Sequence, residues 1–76
     1  MEYEIVRETF NACAGENYRE SCTITEAELD DPMAYVKEQY ALEPGMTYTA
    51  FDKDGSTVVD AFYPSGIHHR YTFTPF

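Results

Sequence analysis

Two glycine-closed turn signals, Asp52-Lys53-Asp54-Gly55 and Tyr63-Pro64-Ser65-Gly66, stand eleven residues apart, each between runs rich in β-branched and aromatic side chains. Turn chemistry at that spacing leaves little room for anything but a meander of antiparallel strands. Residues 46–74 therefore read as three strands: Met46 to Asp52, Ser56 to Tyr63, and Ile67 to Phe73. Both signals fit a type I turn closed by a glycine in the left-handed region, the three-residue hairpin loop. Across the second turn this sets Tyr63 against Ile67 and Val59 against Tyr71, with Asp60 facing Arg70 on the other side of the sheet. The first hairpin admits two registers. Pairing Asp52 with Ser56 sends Phe51, Thr49 and Thr47 to the core, whereas a two-residue Asp54-Gly55 turn sends Met46, Tyr48 and Ala50 there. The hydrophobic pattern favours the second, which leaves Phe51, Val58 and Phe62 on the face opposite the core.

Ahead of this meander, residues 1–29 read as a hairpin. Tyr3, Ile5, Val6 and Phe10 among glutamates give a first strand from Glu2 to Phe10. Asn11 to Asn17 connects, with Gly15 free to take a positive φ, and a Thr-rich second strand runs from about Tyr18 to Ala27, with Cys22 and Ile24 on one face. Asp31-Pro32 then opens a helix over residues 31–42: an Asp N-cap accepts an orphan amide, and proline fits the first helical position. Met33, Val36 and Tyr40 recur at helical spacing, flanked by Leu29 and Leu42, and Glu43-Pro44-Gly45 ends the helix. The capping box Thr25-Glu-Ala-Glu28 competes as a start but would put Pro32 inside the helix, at about 3 kcal/mol. The expected fold is α+β, β-β-α-β-β-β: one mostly antiparallel five-stranded sheet with a single helix packed on one face.

The chain has 76 residues, so it forms one small domain that hides only about 60% of its unfolded surface. Seven tyrosines and five phenylalanines supply the apolar area. Fourteen acids against five bases give a formal charge of −9, which repels nucleic acid phosphate and favours basic protein surfaces. The imbalance is local. Residues 1–43 hold eleven acids and three bases, while residues 44–76 hold three acids, two bases and seven of the twelve aromatics. No run approaches a membrane span, and the N-terminus has no basic start or apolar run, so the expectation is a cytoplasmic protein with no membrane partner. Cys13 and Cys22 have neither metal-ligand nor disulfide-framework spacing and read as free thiols.

Chemistry-bearing motifs are sparse. His68-His69 would point to opposite faces of a strand, toward Phe62 and Ala61, and cannot share a metal without a bulge. Asp52-Lys-Asp-Gly-Ser56 begins like a calcium loop, but Thr57 stands where the bend needs glycine and Tyr63 where a bidentate glutamate belongs. No phosphate loop, Cys-x-x-Cys or nucleophile elbow is present, so no catalytic, cofactor-binding or metal-ligating residue is assigned.

Ser21 to Tyr40, with Glu26-Ala27-Glu28 leading into Val36-Lys-Glu-Gln-Tyr40, resembles the small DpnD/PcfM-like proteins of phage and conjugative elements. The stretch contains no functional motif, and the resemblance implies only an accessory protein. The expected function is a non-enzymatic acidic module that docks on a basic protein surface, as an inhibitor imitating nucleic acid would. Glu26, Glu28, Asp30, Asp31 and Glu38 form the partner-binding acids, although carboxylates near a helix start also simply solvate that end. The alternative is a homodimer formed through Phe51, Val58 and Phe62 or through an unpaired sheet edge, and a third reading is a small enzyme or metal binder centred on His69.

Overall fold

The computed structural model describes residues 1–11 and 18–76. The elements are β1 (Glu2–Asn11), β2 (Tyr18–Glu28), α1 (Pro32–Gln39), β3 (Thr47–Lys53), β4 (Ser56–Phe62) and β5 (Ile67–Pro75). All five strands form one antiparallel sheet in the order β2-β1-β5-β4-β3, so the last strand lies at the centre, between the N-terminal strand and β4. The expected α+β fold and element order are those observed. The connection at Gly15 and Cys13 lies outside the described residues.

The β3–β4 hairpin takes the register that the hydrophobic pattern favours. Lys53 pairs with Ser56, leaving a two-residue turn in which Asp54 (φ 50°) and Gly55 (φ 84°) both have positive φ. This is type I′ geometry, whose twist matches the flanking strands, and not the type I turn with an added glycine that the residue pattern also allowed. Tyr63-Pro64-Ser65-Gly66 does form the three-residue loop: the Tyr63 amide donates to the Ile67 carbonyl at 2.9 Å, and Gly66 sits at φ 98°. Beyond it Val59 pairs with Tyr71 and Asp60 with Arg70. In the β1–β2 hairpin, the register shifts between Thr9 and Phe10, where β2 carries an extra residue as a bulge.

Helix α1 starts where Asp31 caps it, its carboxylate accepting the Met33 amide at 3.1 Å with Pro32 at the first helical position. It is shorter than the 31–42 segment expected. At Tyr40 the backbone leaves the helix (φ −121°, ψ 24°) and its amide bonds to the Lys37 carbonyl. Leu42 is then 98% exposed. The competing demand is Tyr40 itself, whose ring is buried against Tyr71, Tyr63 and His69, while Pro44 and Gly45 already turn the chain. The side chains of Val36 and Tyr40 pack onto Ile5, Val59, Ala61, Tyr71 and Phe73, with Met33, Tyr35, Met46 and Tyr48 around them. Among the described residues no helix is long and apolar enough to cross a membrane.

Candidate functional site

One helix covers one face, so strand alternation leaves on an uncovered face the even-numbered side chains of β1, β4 and β5 and Cys22, Ile24, Glu26 and Glu28 of β2, together with Thr47, Thr49, Phe51 and Lys53 of β3. The registers arrange them in rows across the sheet. Ile24, Val6, Thr72, Val58 and Phe51 form a row spanning all five strands, apolar but for the threonine at its centre. Its two ends are open, with Ile24 65% and Phe51 45% exposed, whereas Val58 within it is only 3% exposed. Phe51, Val58 and Phe62 therefore share this face, but the first and third present surface while Val58 is a floor.

On one side of that row lies a charged one. Arg70 donates to Asp60 through Nε at 2.9 Å and Nη2 at 3.3 Å, a paired geometry that answers the buried carboxylate. That bond to Asp60, opposed by partial burial, holds the guanidinium even more firmly protonated than usual. Arg70 also lies 5.9 Å from the ring centres of both Phe10 and Phe51. Beyond it, His68 is sandwiched between Phe10 and Phe62, each ring 4.9 Å away. A shallow groove of about 350 Å³ runs between Phe51, Lys53, Val58, Arg70 and Thr72.

On the other side of the apolar row the registers set acids against acids. Glu4 faces Glu26 and Glu2 faces Glu28, a square of four carboxylates beside Ile24 and Val6. The structure thus brings Glu26 and Glu28 together and adds Glu2 and Glu4, which sequence reasoning had not grouped with them. It does not bring in the rest: Asp31 is engaged as the helix cap, Asp30 is exposed after the end of β2, and Glu38 is exposed on α1. Like charges directly opposite destabilise a ladder, so the square is an arrangement that folding alone does not favour.

The histidines separate as their adjacency requires. His69 lies on the helix side, where its Nδ1 is 2.9 Å from the Thr9 hydroxyl and its ring stacks on Tyr40 at 5.6 Å. Burial, with the nearby charges of Arg7 and His68, lowers its pKa. Tyr40 and Tyr71 share a hydrogen bond of 2.6 Å beside it. Among the described residues no group of three or more His, Cys, Asp or Glu could hold a metal. Cys22 is an exposed free thiol beside Glu8 on the uncovered face, and its relation to Cys13 lies outside the described residues. No protein-family model, curated protein or solved structure matches the chain, so the site stands on its geometry.

Proposed function

We propose that this chain is a non-enzymatic binding module whose uncovered sheet face docks on a basic protein surface, as an accessory or inhibitor protein presenting carboxylates in place of nucleic acid phosphates. The observation that carries this reading is the square of Glu2, Glu4, Glu26 and Glu28 beside the apolar row at Ile24 and Val6. Cationic side chains of a partner would relieve the repulsion between facing glutamates, so the strain of the free ladder becomes affinity in the complex. The adjoining apolar row supplies area that charge alone lacks. Partner chemistry follows from the layout: lysines or arginines flanking an apolar ridge.

Capture from the source cell's extract tests this, with the wild-type chain compared against Glu2→Gln/Glu4→Gln/Glu26→Gln/Glu28→Gln. Amides keep the shape and remove the repulsion, so the variant folds at least as well. The expected result is a basic protein retained by the wild type, released as salt screens the contact, and lost from the variant. Retention that survives molar salt, or that is equal in the two proteins, would refute the proposal.

A further inference from the structure

The two sheet edges differ in kind. β2 carries Glu26 and Glu28 on its exposed length and is bulged opposite Thr9 and Phe10, two devices that discourage a further strand. β3 has neither. Thr47-Tyr48-Thr49-Ala50-Phe51 contains no charge and no proline, pairs with β4 without a bulge, and is exposed except at Tyr48. Because Lys53 and Ser56 flank a two-residue turn, they form a hydrogen-bonded pair, and alternation then turns the backbone amides and carbonyls of Tyr48, Ala50 and Asp52 away from β4, toward solvent.

We infer that β3 is a homodimerisation edge, pairing antiparallel with β3 of a second copy about a two-fold axis at Ala50 to make one continuous ten-stranded sheet. The strand is self-complementary in that register. Tyr48 meets Asp52 of the second copy, Thr49 meets Phe51, Thr47 meets Lys53, and no like charges face one another. About six backbone hydrogen bonds form, two for each outward-facing pair. On the helix side Lys37 lies over the Tyr48 ring, its Nζ 5.7 Å from the centroid, so Asp52 of the second copy arrives next to a cation, and the contact occurs twice. On the uncovered face the two Phe51 rings come to diagonal positions, within aromatic reach.

Charge placement favours a second copy joined here and nowhere else on the sheet. Residues 44–76 carry three acids and two bases, whereas the glutamate square belongs to β1 and β2. A dimer joined at β3 puts the two β2 edges about 43 Å apart, nine strand spacings and several Debye lengths at physiological salt. Self-repulsion between the two acidic corners is therefore screened.

Sedimentation equilibrium of the full chain from micromolar to millimolar concentration tests the inference. The wild type dimerises, and Ala50→Pro is monomeric with unchanged circular dichroism, because the amide it removes faces solvent. Asp52→Lys weakens the dimer about tenfold, and Lys37→Asp/Asp52→Lys restores it to within about threefold, because both faces of the exchanged pair are exposed. The exchange reads the register even if the proline variant folds poorly. A wild type that stays monomeric at millimolar concentration overturns the inference. So does a dimer that neither Ala50→Pro nor Asp52→Lys weakens, or one abolished by Ile24→Ser, which would place the contact on the sheet face.

Discussion

Tyr40→Phe isolates one interaction that ties the helix end to the sheet. The Tyr40 and Tyr71 hydroxyls meet at 2.6 Å inside the core, and both residues are less than a tenth exposed. Removing one hydroxyl saves nothing in volume but leaves the Tyr71 hydroxyl without that partner, at about 1–3 kcal/mol. For a domain of this size each kcal/mol moves the melting temperature by about 4–8 °C, so the shift is large enough to read in a thermal scan. Tyr40→Phe/Tyr71→Phe removes both polar groups and regains most of the loss, since two apolar atoms of the same shape need no partner. The same pair has a pH signature. Burial first, and then the bond to Tyr71, push Tyr40 far above the ordinary tyrosine range. A folded pKa above the unfolded one means that this stabilisation is whole below about pH 10 and is lost as pH rises beyond it. Urea titrations at neutral and alkaline pH, followed by far-ultraviolet circular dichroism, should therefore show a flatter alkaline decline for Tyr40→Phe. A single variant within about 0.5 kcal/mol of wild type, or a double variant as unstable as the sum of the singles, would refute the reasoning.

Three further outcomes follow from the same geometry. Asp31→Ala removes the carboxylate that accepts the Met33 amide and should cost about 0.5–2 kcal/mol in chemical denaturation, with Asp31→Asn close to wild type. Gly55→Ala meets nothing within 4 Å and bears only the cost of its positive φ, about 1 kcal/mol, whereas Gly45→Ala also drives a methyl to 2.9 Å from Pro64 Cγ and should be clearly worse by thermal melting. Burial, with the charges of Arg7 and His68, lowers the His69 pKa, so the stability linked to it is present above the unfolded pKa of 6.5 and is lost as pH falls through the lowered folded value; the acid decline in melting temperature should be shallower in His69→Gln.

Local chemistry was legible in the sequence wherever neighbours in the chain are also neighbours in space. Asp31-Pro32 marked the helix start, and the alternation of Met46, Tyr48 and Ala50 identified the β3–β4 register although glycine placement suggested another. The helix end was misread because Leu42 sits at helical spacing, and only the packing of Tyr40 against Tyr71 shows why the chain departs first. Placement of Phe51, Val58 and Phe62 on the face away from the helix followed from register alone. The glutamate square did not, because no short turn sets the pairing of β1 with β2. The stack of Phe10 on His68 was equally hidden, since it requires β1 to lie beside β5, more than fifty residues later.

The central position of β5 bears on how the molecule is made. During synthesis the chain holds two separate hairpins, β1–β2 and β3–β4, and neither can join the other until the strand between them has emerged. Three of the four strand pairings join neighbours in sequence, but the pairing of β1 with β5 that closes the sheet spans more than fifty residues, and such non-local closure slows folding. Throughout that interval the β3 edge and the inner edges of both hairpins are open to other chains. Expression yield should therefore depend on the last strand more than on the helix, and substitutions that slow β5 docking, such as at Tyr71 or Phe73, should send nascent chains into aggregates before they measurably alter the finished fold.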